Sequence, residues 1–330
     1  MYDPIIVGAG PCGLSVAIET KKRGMNPLVI EKGCLVNSIY HFPTHMQFFS
    51  TPELLEIGGI PFVTAGEKPY RAEALKYYRA VAKKYELNVH TYEKVVRAEK
   101  GKEGFVVFTE GRGGREGRYE TPHLVIATGY YDNPNRMNIP GEDLPKVHHY
   151  FREAHPYSDM DVLVVGGKNS AVEAALELHR AGARVTMAYR RDAFTKSVKA
   201  WVKPVIESAI NKGWIRMLWK TEVKEICPDH VVLEQEGRVF TLPNDVVFAM
   251  TGYRPDVSML RRLGVSIDPE TGAPVHDPET METSVSGLYI AGVIAAGHDA
   301  NSIFIENGRF HGERIARHLE ASRAKVAGRG

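Results

Sequence analysis

The chain has 330 residues, of which 43% are hydrophobic and 25% charged, as in an ordinary globular protein. Its length predicts two domains, and its formal net charge of +2 argues against nucleic-acid binding. No apolar run reaches the roughly 20 residues that span a bilayer, and the chain opens directly with a strand, so we expect neither a membrane segment nor a signal peptide.

The cysteines and histidines predict no metal site. Cys12, Cys34 and Cys227 are far apart and form no Cys-x-x-Cys pair, which is typical of a reducing cytoplasm and predicts a cytoplasmic protein. A separate group, His148, His149 and His155, has no companion ligands at metal-binding spacing.

The first motif is a strand, a glycine turn and a helix. Apolar residues 4–7 precede Gly8-Ala9-Gly10-Pro11-Cys12-Gly13, and a helix is predicted over about 13–23. Such a turn brings backbone close to a pyrophosphate and points a helix N-terminus at it. The next strand, 27–30, ends at Glu31, where an acid binds a ribose hydroxyl of the dinucleotide; a plain surface carboxylate is the alternative.

The segment that follows is irregular and then becomes regular. Residues 35–63 are dense in aromatic side chains, which either surround a flat ring system or form core beneath a long loop. Regular elements are then predicted as a helix over 71–85, strands over 88–92, 95–99 and 104–109, a solvated turn over 111–117, and a strand ending at Thr128-Gly129.

A second unit repeats the first motif. Strand 162–165 leads into Gly166-Gly167-Lys168-Asn169-Ser170-Ala171, with Lys168 in place of the glycine usual at the third position, and a helix over about 170–181. The next strand ends in Arg190-Arg191, where the first unit has Glu31. Because arginine holds a 2′-phosphate and a carboxylate repels it, this unit favours NADP(H) over NAD(H); a solvated basic turn is the alternative. A second Thr-Gly strand end, Thr251-Gly252, completes an apparent internal duplication.

The order of these parts resembles the two-dinucleotide-binding-domain flavoproteins, in the thioredoxin-reductase-like branch. Longer blocks are similar to the bacillithiol disulfide reductase family (YpdA-like): 11–13, 36–40, 43–46, 48–51, 167–171 and 301–309. The resemblance implies an α/β fold of two Rossmann-like domains, with an NADPH domain (131–252) inserted in an FAD domain (1–130 and 253–330). The implied activity is NADPH-dependent, FAD-mediated reduction of bacillithiol disulfide.

The resemblance also implies the cofactor contacts. The expected FAD-binding residues are Gly8, Gly10, Pro11, Cys12, Gly13, Glu31, Lys32, Ser38, Tyr40, His45, Val95, Ala127, Thr128, Gly129, Gly292, Ser302 and Ile303. The expected NADPH-binding residues are Gly166, Gly167, Lys168, Asn169, Ser170, Ala171, Arg190, Arg191, Lys196, Thr251 and Gly252. A helix predicted over about 302–321 would place its N-terminus at the flavin's pyrimidine edge; an ordinary packing helix is the alternative.

One departure concerns the thiol chemistry. Thioredoxin reductases of this size carry a Cys-x-x-Cys pair before the second turn, whereas residues 147–155 contain no cysteine, which excludes that design. Cys12 is the candidate catalytic group, because a helix N-terminus favours a thiolate that attacks a disulfide to form a mixed disulfide. The alternative is a small buried packing residue, as we expect for Cys34 and Cys227.

Three other functions fit the same motifs. They are an NADPH:ferredoxin or flavodoxin reductase, a flavin monooxygenase, and an NADPH-sensing protein; the monooxygenase linker Phe-x-Gly-x-x-x-His is absent from 144–150. The expected partner is a low-molecular-weight disulfide, with no nucleic acid and no membrane. Whether the chain forms a homo-oligomer stays open.

Overall fold

The structure is a computed structural model that describes residues 1–299 and 302–327. Its strands are, in chain order, β1 (Ile5–Val7), β2 (Leu28–Glu31), β3 (Asn88–Thr91), β4 (Glu93–Lys100), β5 (Phe105–Gly111), β6 (Glu116–Thr121), β7 (Leu124–Ile126), β8 (Val147–His148), β9 (Asp161–Val165), β10 (Arg184–Tyr189), β11 (Arg216–Trp219), β12 (Thr221–Ile226), β13 (His230–Gln235), β14 (Arg238–Pro243), β15 (Val246–Ala249) and β16 (Leu288–Ile290). Its helices are α1 (Pro11–Lys22), α2 (Asn37–His41), α3 (Pro52–Leu55), α4 (Arg71–Lys84), α5 (Asn169–Arg180), α6 (Lys203–Asn211), α7 (Ser258–Arg262), α8 (Ile305–Gly308) and α9 (His311–Ala327).

The chain divides into two compact units. Unit 1 contains Met1–His41, His45–Asn133 and the chain from Tyr253 onward; unit 2 contains Phe42–Thr44 and Pro134–Gly252. The first boundary therefore follows residue 133 instead of residue 130. Residues 42–44 group with unit 2, in which the Thr44 N–H donates to the Arg152 carbonyl at 3.0 Å.

Unit 1 is built on a parallel sheet in the order β16-β7-β1-β2-β3. Ile5 on the central strand pairs with Leu28 on one side and with Leu124 on the other. All three residues of β1 are buried, as expected for a parallel strand that is covered on both faces. The glycine turn that follows β1 therefore lies near the middle of the sheet's carboxyl edge.

Two smaller layers complete unit 1. Strands β4, β5 and β6 form an antiparallel sheet, with β6 beginning at Glu116, inside the turn predicted over 111–117. In the irregular aromatic segment, Phe62 is buried and stacks on Tyr77 of α4 at a ring-centroid distance of 4.2 Å. The Phe62 side chain is therefore part of the core beneath a loop, which was the second alternative for this segment.

Unit 2 repeats the same plan. Its parallel sheet has the order β11-β10-β9-β15-β8, and an antiparallel sheet contains β12, β13 and β14. Val162 on the central strand β9 pairs with Val185 of β10 and with Val246 of β15. The duplicated α/β architecture predicted from the sequence is confirmed.

The C-terminal helix differs from the prediction. The expected single helix over 302–321 is wrong, because α8 ends at Gly308 and α9 begins at His311. Arg309 lies in the break, and its guanidinium donates to the carbonyls of Glu53 and Glu56 at 2.8 and 2.6 Å. These tertiary hydrogen bonds, together with the low helix propensity of Gly308, favour a break over a continuous helix.

Candidate functional site

The first glycine turn is shaped by close approaches within unit 1. Gly8 has a φ of +109°, and a Cβ there would lie 2.5 Å from the Ala127 carbonyl oxygen; a Cβ at Gly13 would lie 2.0 Å from the Gly8 oxygen. Gly10 differs, because a Cβ there meets no atom of the described residues within 4 Å. The structure thus explains Gly8 and Gly13 by packing, and it leaves the backbone at Gly10 open to a phosphate-bearing ligand.

Glu31 lies at the carboxyl end of β2, next to that turn. Its carboxylate accepts hydrogen bonds from the N–H groups of Ala9 (2.9 Å) and Gly33 (2.8 Å). Burial raises the pKa of Glu31, although the two backbone N–H groups act in the opposite direction. The adjoining Lys32 is paired with Asp132 at 2.9 Å. The acid therefore braces the turn, and its bond to a ribose hydroxyl stays a prediction.

Cys12 occupies the first turn of α1. Its Sγ lies 3.0 Å from the point where a Cβ of Gly292 would stand and 3.0 Å from the equivalent point at Gly308. Although part of the residue is accessible, desolvation of the thiol raises the pKa of Cys12 to about 12. Desolvation thus favours the neutral thiol, against the helix dipole, which contributes at most about 2 kcal/mol; the catalytic role of Cys12 stays a prediction.

Other predicted FAD contacts occupy α2 and nearby segments of unit 1. Ser38 and Tyr40 belong to α2, whose end is held by Arg71: the guanidinium donates to the Tyr40 carbonyl at 2.5 Å and lies 5.4 Å from the Tyr40 ring centroid. His45 precedes α3, and Val95 is buried on β4. Residues 127–129 directly follow β7, at the same sheet edge as the glycine turn.

The segment before α8 does not have the expected geometry. Ser302 and Ile303 precede α8, so neither is a helical residue. The Ser302 hydroxyl donates to the Asp299 carbonyl at 2.8 Å, and the Ser302 carbonyl accepts from the Asn307 amide at 2.9 Å. The helix N-terminus predicted at Ser302 is therefore wrong, while contact of these residues with FAD stays a prediction. Asn301 lies outside the described residues.

Close packing also explains why the second turn has glycine at two positions. Gly166 has a φ of +139° and a Cβ there would lie 2.4 Å from the Met250 carbonyl oxygen, while a Cβ at Gly167 would lie 2.4 Å from the Tyr189 ring. Lys168 precedes α5, which begins at Asn169 and includes Ser170 and the buried Ala171. The glycine turn and the N-terminus of α5 therefore both lie at the carboxyl end of β9, just as the Gly8 turn and the N-terminus of α1 lie at the carboxyl end of β1.

Asn169 attaches a basic loop to the start of α5. Its amide donates to the Ser197 carbonyl at 2.9 Å and accepts from the Lys199 N–H at 2.9 Å. The same loop begins with the exposed Arg190 and Arg191 after β10 and includes the exposed Lys196. The predicted cationic residues are therefore on one loop that is tied to the second glycine turn.

Thr251 and Gly252 follow β15, and both are tied to Asn135. The Asn135 N–H donates to the Gly252 carbonyl at 2.9 Å, and the Thr251 hydroxyl donates to the Asn135 carbonyl. Their contact with a nucleotide stays a prediction.

Of the three histidines noted in unit 2, His148 packs on aromatic rings, His149 lies 3.6 Å from the Glu142 carboxylate, and His155 is exposed. Burial lowers the pKa of His148 and of His149, and the His148 ring lies 5.4 Å from the Phe248 ring. Across residues 1–299 and 302–327, no group of three or more His, Cys, Asp or Glu side chains is arranged to hold a metal ion. Within the same ranges, no helix has both the length and the apolar character that crossing a membrane requires.

Sequence reasoning missed three residues that shape unit 1: Arg71, Arg309 and His311. The first two donate to carbonyls that are distant in sequence, at the end of α2 and in and just after α3. His311 is buried and accepts a hydrogen bond from the Gly292 N–H at 3.1 Å. No local pattern predicts such long-range contacts. For His311, the one signal in the sequence is a polar residue beside a glycine, Gly312, at the start of the final helical stretch.

Two parallel sheets, each with a glycine turn between its central strand and the next helix, define a protein with two Rossmann-like dinucleotide-binding units. Residues 5–292 match the pyridine nucleotide-disulphide oxidoreductase family, and the chain belongs to that family.

The chain is also similar to individual proteins along nearly its whole length. It is 53% identical over 314 residues to bacilliredoxin reductase Bdr of Bacillus subtilis (strain 168), covering 94% of this chain and 95% of the relative. A bacillithiol disulfide reductase Bdr (YpdA) structure from Bacillus cereus matches with a TM-score of 0.95 and 52% identity, over 96% of this chain and 98% of that chain. The Staphylococcus aureus structure of the same name matches with a TM-score of 0.94 and 48% identity, over 98% and 99%. The predicted family resemblance and the enzyme class, an NADPH-dependent flavin disulfide reductase, are confirmed.

Proposed function

We propose that this enzyme reduces bacillithiol disulfide with electrons from NADPH, passed through FAD. The observation that carries the proposal is the pair of glycine turns, one beside Glu31 and one beside Arg190 and Arg191, in a chain that lacks a Cys-x-x-Cys pair. The whole-length similarity to proteins named bacillithiol disulfide reductase supports the choice of substrate.

Unit 1 fits FAD on its own geometry. The open backbone at Gly10 provides N–H groups for the pyrophosphate, and Glu31 is the candidate partner of the adenosine ribose. The sheet edge that carries residues 127–129 and Gly292 is where open α/β sheets bind their ligands. Bound there, FAD supplies transfer of two electrons between a nicotinamide and a disulfide.

Unit 2 fits NADPH. The turn at Gly166 and Gly167 precedes the N-terminus of α5, and this arrangement favours a pyrophosphate. Arg190 and Arg191 lie on the same loop as Lys196 and are the candidate partners of the 2′-phosphate, because guanidinium groups bind phosphate bidentately. Asn169 ties this loop to α5 through its hydrogen bonds to Ser197 and Lys199.

The reaction balances as a two-electron reduction. NADPH gives up a hydride and becomes NADP⁺, one proton is taken from solvent, the substrate S–S bond breaks, and two thiols form. In the proposed route the Cys12 sulfur bonds to one substrate sulfur, the substrate S–S bond breaks, and the Cys12 proton leaves with the other sulfur as the first thiol. Two electrons supplied through FAD, with two protons, would then break the bond between Cys12 and the substrate, which releases the second thiol and restores the Cys12 thiol. Desolvation, which raises the pKa of Cys12 to about 12, opposes the first of these steps because it favours the neutral thiol.

The direct test compares electron acceptors. NADPH consumption by the purified FAD-loaded enzyme should be fast with bacillithiol disulfide and slow with ferredoxin, flavodoxin or oxygen, and each NADPH should yield two thiols. Cystine serves as a control disulfide. Faster turnover with ferredoxin or flavodoxin would instead support a one-electron reductase, and rapid oxygen consumption would support a monooxygenase.

A further inference from the structure

The turn at Gly292 is closely packed against the first residues of α1. It follows β16 at the carboxyl edge of the parallel sheet of unit 1, the edge that also carries the Gly8 turn. Gly292 has a φ of +79°, and a Cβ there would lie 3.0 Å from the Cys12 Sγ. A change in the Gly292 backbone would therefore be transmitted directly to the start of α1.

His311 holds this turn through one hydrogen bond. Its Nδ1 accepts from the Gly292 N–H at 3.1 Å, and the side chain is buried, with 7% of the residue exposed. An Nδ1 that accepts a hydrogen bond carries no proton, so the imidazole is neutral and its proton is on Nε2. The bond thus depends on the neutral form of the ring.

The position of His311 is itself fixed by the packing of α9 on α1. A Cβ at the adjacent Gly312 would lie 2.6 Å from the Ser15 Oγ, so the two helices are in close contact there. The Ser15 hydroxyl also donates to the Arg309 carbonyl at 2.6 Å. If the Gly292 N–H moved, His311 Nδ1 could stay hydrogen-bonded to it only if α9 moved as well.

We infer that His311 is a positioning residue for the FAD site: it fixes the Gly292 N–H, and through it the turn that packs on the glycine-rich start of α1. The inference rests on the proposed function, which places FAD at this sheet edge. Without the acceptor, a buried N–H has no partner, which is a costly state that the turn relieves by moving.

The first experiment measures FAD release from the holoenzyme by the recovery of flavin fluorescence after dilution. His311→Leu removes the acceptor, and we expect it to weaken FAD binding at least about tenfold, the effect of one unsatisfied buried group. His311→Asn retains an acceptor oxygen close to the position of Nδ1, and we expect FAD binding within about threefold of the unmodified enzyme. These two variants separate the hydrogen bond from side-chain volume.

The matched control is His318→Leu. His318 lies on the same helix, and its Nδ1 contacts the Tyr289 hydroxyl on β16 at 3.0 Å, so the change removes a histidine contact with the same strand but not with Gly292. We expect unchanged FAD release and an unchanged flavin reduction potential. In His311→Leu, by contrast, the flavin reduction potential and absorption maxima should shift. In His311→Asn, both should match those of the unmodified enzyme.

A second readout does not depend on FAD. In full-length chains carrying Cys34→Ser and Cys227→Ser, only Cys12 reacts with N-ethylmaleimide. Because Cys12 packs on Gly292, we expect His311→Leu to accelerate labelling at least about tenfold, and His311→Asn and His318→Leu to label at the background rate. Circular dichroism confirms that each variant is folded at the labelling temperature.

The outcomes separate the two proposals. An unmodified chain that takes up no FAD refutes the proposed function, and the labelling rates then decide the role of His311 alone. Equal FAD release and equal labelling in His311→Leu and the unmodified chain would overturn the inference, as would an Asn variant as impaired as Leu. Impairment of His318→Leu to the same degree would also overturn it.

Discussion

Cys12 combines two properties that oppose each other. Its thiol fills the space left by two glycines, Gly292 and Gly308, and its pKa is raised to about 12 by desolvation. A buried thiol of this kind is ordinarily inert, yet among Cys12, Cys34 and Cys227 it alone lies in the glycine turn. Kinetics of the separate half-reactions therefore decide its role.

We expect Cys12→Ala to retain FAD and to be reduced by NADPH at a near-normal rate, because the change removes one sulfur atom from a turn that other contacts hold. Reduction of bacillithiol disulfide should be lost, since alanine cannot form the mixed disulfide. Stopped-flow absorbance measures both half-reactions, and Cys34→Ala is the control. Unimpaired disulfide turnover would make Cys12 a packing residue.

A second prediction at the residue scale concerns Arg190 and Arg191. Both side chains are exposed at the carboxyl end of β10, and each charge-assisted contact with a 2′-phosphate contributes about 1.5–3 kcal/mol. The double change to alanine should weaken NADPH binding at least about tenfold and leave NADH binding nearly unchanged. Arg216→Ala, at the opposite end of the adjoining strand, is the control. Equal flavin reduction by NADH and NADPH in the unmodified enzyme would contradict this reading.

His311 also predicts a pH dependence of stability. Burial, and secondarily Arg314 and His276, lower the pKa of His311 to about 4 in the folded chain, against about 6.5 when unfolded. Because the unfolded chain takes up this proton near pH 6.5 and the folded chain only near pH 4, the stability present above pH 6.5 is lost as the pH falls from 6.5 to 4. From pH 7 to pH 4.5, unfolding by urea should show the unmodified chain losing about 2–3 kcal/mol more than His311→Asn. If the two chains lost the same free energy of unfolding, a group other than His311 would account for the pH dependence.

At the scale of an element, one side chain, Asn169, ties the loop after β10 to the start of α5. Asn169 makes hydrogen bonds to Ser197 and Lys199 from the first residue of α5, so Asn169→Ala should free the loop that carries Lys196. We expect the KM for NADPH to rise several-fold, with the preference over NADH reduced and the FAD content unchanged. Asn211→Ala, at the exposed end of α6, is the control. An unchanged KM would show that the loop is held by other contacts.

The elements that the sequence predicts well are those set by local pattern. Four apolar residues before Gly8 and four before Gly166 predict buried parallel strands, and glycine at those positions predicts the turns, because both signals are local. The C-terminal helix shows the limit. Its break at Arg309 depends on carbonyls of Glu53 and Glu56, which are 256 and 253 residues away in sequence, and no helical periodicity encodes that contact.

The same limit applies to the candidate site. Glu31 was predictable because its distance from the glycine turn is fixed by one helix and one strand. The hydrogen bond between His311 and Gly292 was not, because it joins two segments whose approach depends on the packing of α9 against α1. The effect of burial on the pKa of Cys12 also required the structure, since helix position alone would lower that pKa.

At the scale of the molecule, the two units share one sheet architecture but carry different side chains at the expected nucleotide sites. Each unit has a five-stranded parallel sheet and a three-stranded antiparallel sheet. The strand after the glycine helix carries different side chains in the two units: an acid ends β2 in unit 1, and two arginines follow β10 in unit 2. The duplication therefore predicts two binding sites, and these side chains predict which nucleotide each one holds.

Hydrogen exchange tests that assignment. Because a bound pyrophosphate occupies the N–H groups of a glycine turn, FAD should slow amide exchange at residues 8–13 and around Gly292, in the proposed FAD domain (1–130 and 253–330). NADP⁺, added to the holoenzyme, should slow exchange at residues 166–171 and 190–196, in the proposed NADPH domain (131–252). Mass spectrometry of peptic peptides resolves these segments, and 231–243, on the antiparallel sheet of unit 2, is the internal control. Protection of 166–171 by FAD, or of 8–13 by NADP⁺, would reverse the assignment of the two units.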